Sequence, residues 1–123
     1  MHAHMIRNHQ KLRAFHESDA LVLEVHKQTV GMPLDERFGL QAQIRRAAVS
    51  VPCNLVEGSA RPSTADYCRF VHISRSWACE VEYLLGLASG LGFLNPRIVQ
   101  QLASRYRGVQ AGLAKLAESL EFP

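Results

Sequence analysis

Two groups of residues in this 123-residue chain are of types that do chemistry. The first is dispersed. Three cysteines (Cys53, Cys68 and Cys79) and six histidines offer thiols and imidazoles, and five of those histidines (His2, His4, His9, His16 and His26) fall within the first 26 residues. A nucleophile needs a partner base and a group that orients the base. Ser50, Cys53 or His72 would be the acting residue here, yet no nucleophile elbow, glycine-rich phosphate cradle or paired acid accompanies them. The sequence therefore predicts no catalytic residue and no enzyme. His2 and His4 lie close enough to touch one metal ion, but no rigid element sets their geometry. The inward Glu-x-x-His pairs of di-metal bundles do not occur either. No metal and no cofactor are expected.

The second group is ordered. Gln43, Arg46, Ser50, Asn54, Glu57 and Arg61 follow one another at spacings of 3, 4, 4, 3 and 4, one continuous file along a helix. Arg46 and Glu57 are too far apart to pair, which leaves Ser50 and Asn54 to bridge them, and Glu57 with Arg61 is a favourable i, i+4 pair. Arginine and glutamate between apolar strips more often form a satisfied packing network than a ligand site, so the file is read as structural.

The helix that carries this file spans about residues 35 to 61. Leu40, Ile44, Ala47, Ala48, Val51, Leu55 and Gly58 make one apolar face. Ala42, Val49, Cys53, Val56 and Ala60 make a second strip on nearly the opposite side, so the helix calls for two burial partners. Pro52 lacks an amide hydrogen and crowds the carbonyl of residue 48, which predicts a kink there.

Three more helices complete the reading. The first covers about residues 12 to 31, with Leu12, Phe15, Val22, Val25 and Thr29 on its face and Gly31 and Pro33 as its stop. The third opens at a Ser63–Asp66 capping box and runs to about Leu91, its wide apolar arc placing Trp77 in a core or an interface. The fourth starts at Asn95–Pro96, and its seam is Ile98, Leu102, Tyr106, Val109, Leu113, Leu116 and Leu120. Short connections favour antiparallel neighbours. The fold class is all-α, an up-and-down four-helix bundle with a long kinked second helix; residues 1 to 10 read as a mobile tail and 11 to 123 as one domain.

Composition agrees with a globular chain, at 47% hydrophobic and 20% charged residues. No apolar run approaches the roughly 18 residues of a membrane span and no signal peptide is seen, so a cytoplasmic location without membrane contact is expected. Cys68 and Cys79 lie roughly 16 Å apart on one helix, too far for a disulfide, and the cysteines are expected as buried free thiols. Net charge is +3. Arg97, Arg105, Arg107 and Lys115 against Glu118 and Glu121 leave the fourth helix basic, and with Arg45 they are the candidate contacts to a nucleic acid.

The stretch from Pro33 to Leu94, with PLDERFGLQAQIRRAAVSVPCNLVEGSARPSTADYCRFVHIS followed by EVEYLLGLASGLGFL, resembles the small bundle proteins encoded by intervening sequences of 23S ribosomal RNA genes. That group is similar in turn to the accessory protein of diversity-generating retroelements. The resemblance implies a homopentameric ring of four-helix subunits with no assigned enzymatic activity. For the retroelement relative it implies a basic surface that engages nucleic acid and a reverse transcriptase. The family's polar positions fall on Gln43, Arg46, Ser50, Asn54, Glu57 and Arg61, beside Pro52 and Gly58, and its acidic position on Glu80. Cys53 stands where the family usually has alanine, and Ser76 and Trp77 where it has a Gly-Ser pair. Two functions remain: an oligomeric assembly factor that contacts RNA or DNA, and an adaptor for a protein partner that contacts neither.

Overall fold

A computed structural model describes residues 8–123. Its long helices are α1 (Arg13–Thr29), α2 (Leu40–Ser59), α3 (Thr64–Gly90) and α4 (Pro96–Glu121), and no strand occurs among the described residues. They form the expected all-α four-helix bundle. α3 packs most extensively, against α2 and α4, while α1 docks on α2 and most lightly on α4. No helix among the described residues is long and apolar enough to cross a membrane.

Local chemistry sets most of the boundaries. Ser63 Oγ accepts the Asp66 amide at 3.1 Å and opens α3. Asn95 Oδ1 accepts the Arg97 amide at 2.8 Å with Pro96 beside it, which opens α4. Between them Gly92, at φ 80°, turns the chain in a region that disfavours any side chain. α2 begins later than its pattern suggested. Pro33 leads into a short 3₁₀ turn at Leu34–Glu36, and Gly39, at φ −107° and ψ −112°, separates that turn from Leu40. Leu34 and Phe38 are 85% and 90% exposed, so no burial within the chain extends the helix over them.

The inner face of α2 is buried as its spacing indicated, from Leu40 through Gly58. α1 departs from its expected face: Ser18, Leu21, Val25 and Thr29 are buried, whereas Leu12, Phe15 and Val22 are only partly covered. Two hydroxyls can sit inside because each is satisfied on its own helix, Ser18 Oγ on the Phe15 carbonyl at 2.9 Å and Thr29 Oγ1 on the Val25 carbonyl at 2.7 Å. In α4, Val99 and Ala117 join the seam, and Ile98 and Leu116 lie at its margin. Of the expected mobile tail, residues 1 to 7, with His2 and His4, lie outside the described residues. His9–Lys11 form a 3₁₀ turn, with the His9 ring against Phe15 at 4.8 Å and its Nδ1 3.1 Å from Ser59 Oγ.

Tyr106 is fully buried, and its hydroxyl finds no partner among the described residues. Burial raises its pKa. An unmade hydrogen bond of this kind costs about 1–3 kcal/mol. Tyr106→Phe should therefore raise stability by about 1 kcal/mol in urea unfolding, and a loss of that size would instead assign the hydroxyl a partner.

Candidate functional site

The polar file runs along the edge of α2 that meets α3, and it stays at the surface of the chain. Gln43, Arg46 and Glu57 are exposed; Ser50, Asn54 and Arg61 are half-buried. Ser50 and Asn54 do not bridge Arg46 to Glu57. Ser50 Oγ donates to the Arg46 carbonyl and Asn54 Nδ2 to the Ser50 carbonyl, each at 2.7 Å, the carbonyl one turn back being the local acceptor such side chains take on a helix. The file is thus not a buried network within one chain.

Its two ends differ. At the C-terminal end Arg61 Nη2 donates to Glu57 Oε1 at 3.4 Å, and Arg61 Nε lies 3.7 Å from Asp66 Oδ2, which also accepts Arg69 Nε through Oδ1 at 3.1 Å. The guanidinium groups of Arg61 and Arg69 sit 4.8 and 4.6 Å from the centre of the Phe70 ring. This end is a set of cations and carboxylates gathered round an aromatic ring. At the N-terminal end Gln43 and Arg46 of α2 share a small cavity of about 210 Å³ with Trp77, Glu80 and Leu84 of α3. Trp77 is half-buried and packs against the core from this edge. The residues matched to the family's polar motif, Glu80 included, therefore share one α2–α3 edge.

Beside that edge lies the second apolar strip. Val49 and Val56 are 40% and 42% exposed, and Ala42, Cys53 and Ala60 between and beyond them are exposed as well. The expectation of buried thiols holds for Cys68 alone; Cys53 and Cys79 are exposed free cysteines. For Cys53 the reason is its place on this outer strip, which no element among the described residues covers.

The basic candidates do not form one patch. Arg45 is tied to α1, its Nε donating to Thr29 Oγ1 at 2.9 Å and its Nη2 to the His26 carbonyl at 3.1 Å. Arg107 Nη1 donates to Glu82 Oε2 of α3 at 2.9 Å. Arg97, Arg105 and Lys115 do share a feature, the groove left by the light contact of α1 with α4. One stretch of it, about 680 Å³, takes in Arg97 and Arg105 with Glu24 and Gln28. The next, about 510 Å³, is lined by Arg13, Arg105 and Lys115 with Glu17, over a floor opened by Gly108 and Gly112. Arg105 Nε donates to Glu17 Oε1 at 2.7 Å. Arg97 and Lys115 have no ion-pair partner among the described residues.

Over residues 10–115 the chain matches the family model of the 23S rRNA-intervening sequence protein. The chain belongs to this family. A solved structure of a protein with unknown function from the S23 ribosomal protein family of Bacteroides thetaiotaomicron is similar, with a TM-score of 0.78 at 18% identity. The similarity covers 85% of this chain and 95% of that one, which establishes a shared fold. No curated protein compared with the chain matches it. The family match begins just after the turn at His9–Lys11 opens and takes in all of α2 and α3, so the polar file and the outer strip both lie within the family region.

One side-chain group escaped the sequence reading. Cys68 and His72, one turn apart on α3, meet Glu121 at the end of α4: His72 Nε2 donates to Glu121 Oε1 at 2.7 Å, and the Cys68 thiol lies 3.6 Å from the same oxygen. Burial pushes the Cys68 thiol up from its ordinary value, and the adjacent carboxylate adds to that. The His72 hydrogen bond holds the Glu121 carboxyl below the usual carboxylate range. The Cys-x-x-x-His spacing was legible as one helix face. Its partner, 49 residues beyond His72, was not.

Proposed function

We propose that this chain is the non-enzymatic subunit of a homo-oligomer that engages structured RNA or DNA. The observation that carries the reading is a surface a lone bundle has no use for: the outer strip of α2, apolar and uncovered, beside a polar file whose arginine and glutamate find little cover within the chain. A second copy laid against α2 buries the strip and gives the file the enclosure its residue types suit. Closure into a ring satisfies the same patch in every subunit. The resemblance carried by the α2 motif implies five copies, and Trp77, bulky where the family usually has a small residue, lies at the edge where copy number would be set.

The α1–α4 groove supports the nucleic-acid contact. It gathers Arg13, Arg97, Arg105 and Lys115 against Glu17 and Glu24, and a ring repeats that excess in every subunit. Since Glu17 already occupies Arg105, the groove's phosphate-facing charges are Arg97, Lys115 and Arg13. The internal pairing of Arg105 and of Arg107 favours a second reading, in which the chain is an adaptor for a protein partner.

Titration of a fluorescent RNA hairpin at several salt concentrations, beside light scattering of the same samples, separates the two. Each phosphate neutralised steepens the salt dependence by about 0.9 in log–log slope. A groove contributing two such contacts loses affinity about tenfold between 50 and 200 mM salt. Arg97→Glu with Lys115→Glu should remove those two contacts and lower the slope by about 1.8, leaving Arg13, while the oligomer stays intact. Affinity that ignores salt, or no affinity for RNA or duplex DNA, leaves the adaptor reading in place.

A further inference from the structure

The group at the end of α4 has the composition and spacing of a metal site. Cys68 Sγ, one His72 ring nitrogen and one Glu121 carboxylate oxygen are ligand atoms that all lie within 4.8 Å of one another. We propose that Cys68, His72 and Glu121 bind one divalent cation of the zinc class, fastening the C-terminal turn of α4 to α3. This does not rest on the assembly or nucleic-acid reading above.

Ligand identity points to zinc or its close chemical neighbours. A thiolate with an imidazole and one carboxylate is a mixed soft and borderline donor set, which magnesium and calcium, bound through oxygen alone, do not select. The backbone arrangement is suitable too. Residues i and i+4 of a helix present side chains to one point, the spacing by which paired histidines hold zinc on a helix. The third ligand arrives from another helix, so chelation bridges two elements.

Two of the three ligand-atom distances are close to those required, and the third, from Cys68 Sγ to the imidazole, is no more than 4.8 Å. Tetrahedral coordination with Zn–S near 2.3 Å and Zn–N and Zn–O near 2.0 Å places ligand atoms roughly 3.3–3.6 Å apart. Cys68 Sγ to Glu121 Oε1 is already 3.6 Å. His72 Nε2 to Glu121 Oε1, at 2.7 Å, must open by about half an ångström. That movement is small for two side chains that are 47% and 45% exposed. The thiol is the fixed ligand, on a residue only 7% exposed. Three protein ligands leave the fourth tetrahedral position to water.

The surrounding field independently favours a cation. Glu121 is the last residue of α4, and that helix has no basic residue in its last turn. A helix C-terminus carries about half a negative charge and is ordinarily matched by lysine, arginine or histidine. Here Glu118 and Glu121 add to it instead, and His72, from another helix, donates a hydrogen bond to Glu121. A divalent ion supplies that positive charge and displaces the thiol proton as it binds.

The test uses the full-length reduced chain with zinc in calorimetry and cobalt in absorption spectroscopy. One equivalent should bind, the cobalt form should show a thiolate charge-transfer band, and the thermal midpoint should rise until one zinc per chain is reached. His72→Ala, at an exposed position that leaves the fold intact, should weaken zinc by more than the roughly 10- to 100-fold that loss of an outer partner costs. Cys68→Ser should remove the cobalt band. Full-length chains with Cys53→Ser and Cys79→Ser, or with His2→Ala and His4→Ala, should keep both band and affinity. Absence of the band in the parent chain, affinity unchanged by His72→Ala, or a band that follows Cys53, Cys79 or the N-terminal histidines would each overturn the site.

Discussion

Gly58→Ala is expected to destabilise the chain by about 2 kcal/mol, although alanine is the better helix former by about 1 kcal/mol. A Cβ at this buried position would lie 2.6 Å from the Phe70 Cβ, 3.2 Å from Tyr67 Cδ1 and 3.4 Å from Phe70 Cγ. The first of these decides the outcome, because a Cβ is fixed to its backbone and cannot rotate aside. The Phe70 ring is further packed between the Arg61 and Arg69 guanidinium groups, 4.8 and 4.6 Å from its centre. α2 and α3 must therefore separate where α2 ends at Ser59 and α3 begins at Thr64, a connection too short to absorb the shift. Spreading them there loosens Leu55 and Tyr67 in the core and unseats the C-terminal end of the polar file. Urea unfolding reads the change as a lower midpoint at unchanged slope, and Gly58→Leu should leave no folded protein. An alanine variant as stable as the parent would mean that the two helices do not meet at Gly58.

Where a feature depends on neighbours in sequence, the residues announced it. Ser63 and Asn95 cap their helices through amides two or three positions away, so α3 and α4 begin where their sequences indicate. The division of α2 into a buried face and an uncovered strip follows from the 3.6-residue period alone, and burial separates Leu40–Gly58 from Val49 and Val56 accordingly. Competition between acceptors was harder to read. Ser50 and Asn54 stand between Arg46 and Glu57 in the file, but each takes a carbonyl of its own helix. The face of α1 was only half placed for a related reason: Val25 and Thr29 are buried as expected, but Ser18 counts as polar in a periodicity yet is buried beside Leu21 once its hydroxyl bonds back to the Phe15 carbonyl. Individual contacts across the bundle were not legible. Antiparallel neighbours bring the end of α4 near the start of α3, but Glu121 reaches Cys68 and His72 over separations of 53 and 49 residues, and no local pattern pairs those side chains.

The outer strip of α2 supports the strongest prediction about assembly: Val49→Glu or Val56→Glu should turn an oligomer into folded monomers. The two valines are seven residues apart, two helical turns on one face, and the residues that complete the strip, Ala42, Cys53 and Ala60, are small enough for another helix to approach closely. Within one chain these positions face solvent, so glutamate there costs the subunit little, and the expected change in its own stability is within about 0.5 kcal/mol. In a subunit interface the same carboxylate is buried without a partner, which costs about 3–5 kcal/mol at each contact. A closed ring repeats the contact at every interface, so one substitution is enough. Light scattering at micromolar concentration should give a multiple of the 13.7 kDa chain mass for the parent protein and a single chain mass for either variant. Far-ultraviolet circular dichroism should leave the helical signal of both variants unchanged. A parent protein that is monomeric at that concentration would remove the assembly. Intact oligomers in both variants would transfer it to another face, where the exposed Tyr83 and Leu87 on α3 and Leu91 at its C-cap, four residues apart, are the next surface to alter.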